Sequence, residues 1–358
     1  FGSSHFGSSV AREPPYFATP SYRPSPFAKM DADKYNFVCE HYEEHSGMTK
    51  EFLLTCFAKK GGQPLELSIL ETKSKKMLLK RGVYNQDGDV HLEDMYKGGM
   101  VTVCSRKIKI VDYADNATRE LFERGCELVC TRIGSAAFSE LGAILSAAAD
   151  AGFRIKRLKT LAEQGSQPAV ALELVGEDAK RWPEVAQGCV SSSTLAAITS
   201  LVTFPESKDT TATYDNCSLC IIRPHAVREG QAGPIISRLQ ASGFEISAIM
   251  SYSLLKSQVE NFYEVYKTVV PSSQFSAMIG ELASGVCIAM EVRAPDDVVG
   301  KLRELCGPYD VEIARHLRPS TLRAQLGRDN VHNAVHCTDL PEDGVLESQY
   351  FFSILPSA

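Results

Sequence analysis

Apolar and polar residues alternate most clearly between residues 31 and 122. The stretches LELSIL (65–70) and KIKIVDY (107–113) both place apolar side chains at every second position. A period of two is typical of half-buried β-strands. Gly-Gly at 61–62 and Asp-Gly at 87–88 favour hairpin turns between such runs. The pattern predicts a compact antiparallel β domain over 31–122, with no convincing helix and no chemistry of its own.

The chain after this domain contains two copies of one pattern. CELVCTRIG and CSLCIIRPH both run as buried strands that reach an arginine, Arg132 in the first copy and Arg223 in the second. A glycine follows each arginine by 20 residues, and an apolar-periodic helix lies between them in both copies. ALELVGEDAKRW and AMEVRAPDDVVGKL then continue the copies as strand followed by helix. Such self-similarity predicts a duplicated α/β sandwich.

The copies differ in the length of their connections. From Gly152 to Leu172 is 20 residues, whereas from Gly243 to Met290 is 47. Aligning SLVTF (200–204) with SQYFF in the second copy makes the last connection twice as long there as well. The first copy also contains no histidine. Since function usually resides in loops, the first copy is interpreted as scaffold.

Residues 1–30 form a segment with a composition of their own. They contain five prolines, six aromatic residues, three basic residues and one acid, and FGSS occurs twice. No period of two or 3.6 is present, so no packed element is predicted. Disordered segments are usually poor in aromatic residues. We therefore expect an extended arm that becomes ordered on the surface of a partner, and a natural N-terminus upstream of Phe1.

Composition narrows the class of protein further. A hydrophobic fraction of 44% and a charged fraction of 23% are typical of a soluble globular protein. The net charge of −6 gives no basic field for DNA, and no apolar run is long enough to span a membrane. Eleven cysteines placed like buried hydrophobes favour a reducing compartment. Cys217 and Cys220 form a lone C-x-x-C in a strand-like run, so no metal site is expected there.

The second copy carries a set of motifs in a distinctive order. IIRPHAV, RPSTLRAQLG and NAVHCTD are followed by EDGVLESQYFF. Together they resemble the nucleoside diphosphate kinases, whose histidine signature is Asn, two apolar residues, His, a small residue, Ser or Thr, and Asp. Two repeats behind a β-rich module with FVCEHYEE and VHLEDMY resemble a narrower group. These are the ciliary seventh-type homologues with an N-terminal DM-ten domain, and the resemblance covers about residues 33–356.

The resemblance implies an α+β fold. A pleckstrin-like DM-ten β domain would precede two ferredoxin-like α/β sandwich repeats, of which the first is truncated. The predicted segments are the arm at 1–30, the β domain at 31–122, the degenerate repeat at 123–210 and the kinase-like domain at 211–356.

The resemblance also implies a reaction. Members of the family transfer a γ-phosphoryl group from a Mg-nucleotide, ATP or GTP, to a histidine nitrogen and then to a second nucleotide. A neutral imidazole is a suitable nucleophile when its other nitrogen is held by an acceptor. By position, His336 is the nucleophile, Glu347 orients its ring and Thr338 supplies a nearby hydroxyl. The nucleotide-binding positions are Arg223, Tyr263, Arg303, Arg323 and Asn333.

Several positions depart from the family pattern. Arg223 replaces the family's lysine, and a planar guanidinium keeps the charge but not the geometry of an ammonium group. His225 and Ala226 replace an Asp-Gly pair. The loop 307–319 is longer than expected and has no clear counterpart of the phosphate-contacting threonine, and Phe275 is an uncertain candidate for stacking on the base.

These observations leave several functions open. His332 and His336 could form a metal pair, but HNAVH lacks the glutamate of the zinc motif, and no metal site is predicted. The resemblance implies a microtubule inner protein of ciliary doublets that contacts α/β-tubulin and other inner proteins, with a γ-tubulin complex as another partner. An active kinase or a nucleotide sensor are the alternatives. The truncated first repeat favours a monomer over the hexamers of catalytic members.

Overall fold

A computed structural model describes residues 34–43, 46–57, 65–84, 90–163, 167–191 and 194–357. The predicted arm at 1–30 and the two predicted hairpin turns lie outside the described residues. No helix in these ranges has the length and apolarity needed to cross a bilayer.

The N-terminal part is an antiparallel sheet of six strands in the order β4-β3-β2-β1-β6-β5. Its strands are β1 (Tyr35–Glu43), β2 (Met48–Phe57), β3 (Glu66–Glu71), β4 (Met77–Val83), β5 (Met100–Val103) and β6 (Arg106–Tyr113). Alternate side chains of β1 and β2 are buried, including Phe37, Cys39, Leu54 and Cys56. The sheet therefore buries one face, as the alternating pattern predicted.

A helix that the sequence did not indicate closes this core. Helix α1 (Asn116–Gly125) begins within the segment for which no helix was expected. The Asp115 carboxylate caps it by accepting a hydrogen bond from the backbone N–H of Thr118 at 2.8 Å. Phe122 is fully buried, with its ring centroid 5.0 Å from that of Phe37. The capped first turn and the buried ring of Phe122 thus stabilise the helix. Neither feature gives the sequence a long helical repeat of apolar residues.

The remaining strands form one continuous sheet in the order β10-β7-β9-β8-β12-β13-β11-β14. The first repeat contributes β7 (Glu127–Ile133), β8 (Arg154–Leu161), β9 (Ala169–Gly176) and β10 (Ile198–Ser200). The second contributes β11 (Cys217–Ile222), β12 (Glu245–Ser253), β13 (Val286–Arg293) and β14 (Val335–Cys337). Within each repeat the strand order is the same, which confirms the predicted duplicated sandwich with a ferredoxin-like arrangement.

Helices accompany both repeats, and the second has more of them. The first repeat contains α2 (Leu141–Asp150) and α3 (Trp182–Cys189). The second contains α4 (Pro224–Arg228), α5 (Ala232–Ala241), α6 (Lys256–Phe262), α7 (Ser272–Leu282), α8 (Val298–Cys306), α9 (Val311–Leu317), α10 (Leu322–Leu326) and α11 (Gly344–Gln349). The extra elements occupy the longer connections that the sequence placed in the second copy.

The two repeats meet across a local two-fold relation between β8 and β12. Lys159 and Met250, which occupy the same position in their repeats, are paired across this seam. The backbone N–H of Leu158 donates to the hydroxyl of Ser251 at 2.8 Å. Reciprocally, the N–H of Ile249 donates to the hydroxyl of Thr160 at 3.1 Å. Side-chain oxygens therefore satisfy strand amides here and extend the sheet from one repeat into the other.

Helices α2 and α5 cross above this seam at equivalent glycines. A Cβ on Gly142 would lie 2.8 Å from the carbonyl oxygen of Gly233, and a Cβ on Gly233 would lie 2.6 Å from that of Gly142. Ser146 and Ser237 flank the contact in the same reciprocal way. Only glycine permits so close a crossing, because backbone atoms of the other helix as well as its serine hydroxyl lie within 3 Å of each Cβ position.

The end of the first repeat corrects one alignment made from sequence. SLVTF was matched with SQYFF, but residues 350–354 are helical. The strand β10 instead occupies the position of β14, because it pairs with β7 as β14 pairs with β11. The backbone N–H of Leu201 binds the carbonyl of Cys130 at 2.9 Å, so Leu201 occupies the position equivalent to His336. Shared aromatic residues produced the false match.

The β domain contacts both repeats. Val175 of β9 belongs to the core of the β domain. The guanidinium of Arg154 donates to the carbonyl of Glu93, and the ammonium of Lys107 donates to that of Ser253. These contacts fix the β domain against the long sheet.

We expect Gly233→Ala to destabilise the protein, because its methyl group would meet backbone atoms of α2. Overpacking of this kind costs about 1–3 kcal/mol. Gly188→Ala in α3 is a matched control, since a Cβ there meets nothing within 4 Å and alanine favours helix. Urea unfolding measures both variants. Equal stability of Gly233→Ala and wild type would contradict the tight crossing.

Candidate nucleotide site

His336 lies on the edge strand β14, where it pairs with Ile221 of β11. Its Nε2 atom is 3.1 Å from a carboxylate oxygen of Glu347. The side chain of His336 is 6% exposed and that of Glu347 is 15% exposed. Nδ1 makes no hydrogen bond within the described part of the chain. The carboxylate therefore favours the tautomer with a proton on Nε2 and a free lone pair on Nδ1.

Glu347 is itself held in position. The hydroxyl of Thr338 donates to the same carboxylate oxygen at 2.9 Å and accepts the backbone N–H of Leu219 at 2.9 Å. Helix α11, which carries Glu347, begins at Gly344, where a Cβ would lie 2.2 Å from the carbonyl oxygen of Cys217. The structure thus brings the three predicted catalytic residues together, with the hydroxyl anchored to β11.

Aromatic rings enclose the imidazole. The ring centroid of Phe262 is 5.1 Å from that of His336, and the centroid of Tyr263 is 6.2 Å away. Tyr263 is fully buried, and its hydroxyl has no hydrogen-bond partner among the described residues. Burial raises the pKa of this phenol, although the nearby Arg223 opposes the shift. The sequence identified Tyr263 but not Phe262, which has no motif of its own.

Arg223 is committed to a buried ion pair. Its Nη1 atom donates to Glu281 and to the carbonyl of Val331, both at 3.2 Å. The other oxygen of Glu281 is 2.7 Å from Nδ1 of His225, and Nε2 of His225 accepts the backbone N–H of Ala334 at 3.3 Å. We name Arg223, Glu281 and His225 the buried triad.

Electrostatics keep Arg223 and Glu281 charged. Burial alone would raise the pKa of Glu281, but the hydrogen bond from His225 and the charge of Arg223 hold it below the ordinary glutamate value. Burial lowers the pKa of Arg223, and the surrounding tyrosines and Glu281 more than reverse that effect. Sequence reasoning identified Arg223 and noted the substitution at His225, but it missed Glu281, which lies 58 residues from Arg223.

The predicted phosphate-binding arginines occupy two different environments. Arg323 is buried, and its guanidinium donates to the carbonyls of Val335 and Gly307, the latter at 2.8 Å. Arg303 is exposed and donates to the carbonyl of Asp339 at 2.8 Å. Arg323 therefore braces the strand that carries His336, whereas Arg303 is available to solvent.

A cleft of about 350 Å³ lies beside these arginines. Its lining includes Arg303, Arg318, Arg323, Tyr309 and Asp339. Tyr309 and Arg318 were assigned no role from sequence, since Tyr309 has no motif of its own and Arg318 was not singled out within RPSTLRAQLG. The Tyr309 ring stands 6.0 Å from the guanidinium carbon of Arg323, and its hydroxyl accepts a hydrogen bond from Gln274 at 3.1 Å. Phe275 is not among the residues that line the cleft.

Three buried polar atoms of the predicted nucleotide-binding residues have no hydrogen-bond partner among the described residues. They are Nε of Arg223, the hydroxyl of Tyr263 and Oδ1 of Asn333. Asn333 is fully buried, and its amide nitrogen is 3.5 Å from the carbonyl of Tyr309. Buried polar groups are normally paired, and none of these three residues is among those that line the cleft.

The side chains of His332 and His336 do not come together as a pair of metal ligands. Nδ1 of His332 is 3.0 Å from Asp329, and its ring packs against His225 rather than beside His336. Within the described ranges no group of three His, Cys, Asp or Glu side chains could hold a metal ion.

The first repeat has Arg132 at the position of Arg223. The guanidinium of Arg132 lies 2.6 Å from the carboxylate of Glu163.

Comparison with known proteins identifies the family. The sequence model of the nucleoside diphosphate kinase family matches residues 216–355. Nucleoside diphosphate kinase homolog 7 of Rattus norvegicus is 33% identical over 384 residues, which cover 91% of this chain and 95% of that protein. The chain belongs to the nucleoside diphosphate kinase homolog 7 family. This result confirms the predicted resemblance to the seventh-type homologues of the family.

Other relatives match a smaller part of the chain. The nucleoside diphosphate kinase of Aquifex aeolicus is 32% identical over 136 residues, covering 38% of this chain and 93% of that protein. A crystal structure of the Aquifex aeolicus enzyme covers 39% of this chain and 97% of its own, with a TM-score of 0.37 and 31% identity. The roles assigned by motif to the site residues of this homolog 7 family member are predictions, and the structure defines the geometry of these residues.

We expect Glu281→Gln to lower stability at neutral pH, because it leaves Arg223 buried without a countercharge. Breaking a buried pair costs about 3–5 kcal/mol. The folded-state pKa of Glu281 is depressed, so its contribution is fully present above the ordinary glutamate pKa and is lost as pH falls from that value through the lower folded-state pKa.

The stability difference between wild type and Glu281→Gln should therefore shrink from pH 7 towards pH 3. Denaturant unfolding at several pH values measures it. Glu260→Gln, at an exposed position of α6, is the control and should show little difference at any pH. A stability difference for Glu281→Gln that stays constant with pH would contradict the charged pair of Arg223 and Glu281.

Proposed function

We propose that the second repeat binds a Mg-nucleotide and accepts its γ-phosphoryl group on Nδ1 of His336. We further propose that this repeat belongs to a chain whose main role is structural, in ciliary doublet microtubules. The observation that carries the first part is the hydrogen bond between Nε2 of His336 and Glu347, which leaves the Nδ1 lone pair free.

The chemistry follows from this geometry. The lone pair on Nδ1 forms a bond to the γ-phosphorus, and the bond from that phosphorus to the β,γ-bridging oxygen breaks. The nucleoside diphosphate leaves with the electron pair. The positive charge that develops on the imidazole is stabilised by Glu347, whose carboxylate keeps the Nε2 proton. Reversal of the step with a second diphosphate regenerates neutral His336.

Arginines and the metal ion would meet the phosphate charge. Arg303 and Arg318 line the cleft, and guanidinium groups recognise phosphate oxygens well. Mg²⁺, bound by the phosphates, would neutralise developing charge. Glu304 and Asp339 are the carboxylates at the cleft, which suits an ion that enters mainly with the nucleotide.

Two contacts predict slow transfer. Arg223, at the position of the family's lysine, is tied to Glu281, and Arg323 is tied to backbone carbonyls. Neither is free to follow the moving phosphoryl group. Misplacement of such donors plausibly costs about 10²-fold in rate. The second repeat is thus suited to binding and slow phosphorylation more than to rapid exchange.

Support for the structural role comes from the rest of the chain. The first repeat has lost its loops and places Leu201 where the second has His336, yet its strands remain joined to the long sheet. The aromatic arm at 1–30 is basic and would suit an acidic surface such as α/β-tubulin. Other microtubule inner proteins are the further partners, a γ-tubulin complex is another candidate, and the location is the ciliary axoneme.

We expect incubation with γ-labelled ATP and Mg²⁺ to give an acid-labile, base-stable phosphoenzyme. His336→Ala should abolish the label, and Glu347→Gln should slow labelling by about 10²-fold because the ring loses its orientation. His332→Ala is the matched control and should label normally. Labelling that persists in His336→Ala would disprove the assignment, and rapid transfer to GDP would overturn the slow-transfer argument.

We expect removal of residues 1–30 to lower recovery of the protein with axonemal doublets, since the arm would lose its contacts. Co-sedimentation of tagged full-length and truncated chains measures this. Arg303→Gln, which changes the cleft only, should leave recovery unchanged. Equal recovery of the full-length and truncated chains would refute the role of the arm.

A further inference from the structure

A second cavity lies between the β domain and the second repeat. Its volume is about 520 Å³, and it shares no lining residue with the nucleotide cleft. His91 reaches it from the β domain, whereas Arg228, Arg328 and the face of α7 reach it from the second repeat. We call this space the interdomain cavity.

Small residues form one wall. Ser273, Ser276 and Gly280 of α7 line the cavity, and Ser284 lines it just after the end of the helix. The helix begins after Pro271, which provides no side-chain cap, so the first N–H groups of the helix lack that partner. Hydroxyl donors along an uncapped helix with a positive N-terminal end favour an anion.

The floor of the cavity is rigid and has its acceptors already engaged. His225 and Glu281 line it, are 4% and 5% exposed, and belong to the buried triad. Both oxygens of Glu281 are bound, one by Arg223 and the other by His225. Its negative charge is therefore compensated from within the fold and does not exclude an anion above it.

Two guanidinium groups, those of Arg228 and Arg328, place positive charge at the rim of the cavity. Arg228 is 3.9 Å from the carboxylate of Asp94, which is longer than a hydrogen bond. Arg328 is 2.5 Å from Glu229, and that glutamate also accepts from Gln231 at 2.8 Å. Arg228 is thus less tightly paired with a carboxylate than Arg328, and both arginines line the cavity.

We propose that the interdomain cavity binds a phosphorylated small molecule. The phosphate group would be held by Arg228, Arg328 and the serine hydroxyls of α7. Pockets of about 300–1,000 Å³ commonly hold small ligands, so a cavity of about 520 Å³ leaves room for an organic body beyond one phosphate. This binding does not depend on phosphoryl transfer at His336.

Isothermal titration calorimetry of the full-length chain, without ATP, tests the proposal. Ribose 5-phosphate and inorganic pyrophosphate are the two probes, and the tighter one separates an organic phosphate from a free inorganic one. Ala277 lines the cavity and is exposed, so Ala277→Phe should fill the space without disturbing the core. Ala241→Phe, at the exposed end of α5, is the matched control.

We expect at least one probe to bind at a site that Ala277→Phe weakens by about 10²-fold or more and Ala241→Phe leaves intact. Arg228→Gln should weaken the same binding about tenfold, through loss of a charge-assisted contact. Absence of binding by both probes would overturn the proposal. So would binding that survives Ala277→Phe, or binding that is lost in Arg303→Gln, which would place the probe in the nucleotide cleft.

Discussion

The seam between β8 and β12 is the constraint on which the rest of the structure depends. Lys159 and Met250 pair across it, and the hydroxyls of Thr160 and Ser251 accept strand amides reciprocally. Because the contact is two-fold, neither repeat can lose its half without leaving amides of the other unpaired. The first repeat has shed its chemistry but keeps the seam residues, and the close crossing at Gly142 and Gly233 is retained with them.

The two copies of the repeat have different roles in this arrangement. The second repeat keeps a histidine oriented by a carboxylate, with a hydroxyl anchored to β11. The first completes the sheet and receives the β domain through Val175 and Arg154. His225 of the buried triad accepts the backbone N–H of Ala334, two residues before His336, and lines the interdomain cavity together with Glu281. The buried triad therefore connects the strand that carries His336 with the floor of the interdomain cavity.

Much of the fold followed from spacing, because strands and helices repeat at equal intervals in the two copies. His336, Glu347 and Thr338 were found by motif, and the structure brings them together. Other residues of the site were missed. Glu281 contacts Arg223 only through tertiary folding, and Tyr309 and Arg318 lie on either side of the short helix α9, so only the fold brings them together at the cleft.

Two other differences between the sequence predictions and the structure, helix α1 and the end of the first repeat, also arise from features that leave little pattern in the sequence. Helix α1 depends on one cap and one buried ring, which give little periodic signal. The false match of SLVTF with SQYFF arose because aromatic residues are common both in strands and in packed helices. Sheet pairing, which involves residues distant in sequence, identified β10 as the partner of β14.

The covalent link between the repeats has a physical consequence of its own. Residues 201–216 join β10 to β11, so the two halves meet at the effective concentration of a short tether, which is in the millimolar range. Dilution cannot separate them, unlike the subunits of a dimer. A single molecule can thus hold its complete eight-stranded sheet wherever it is positioned, without a second copy nearby.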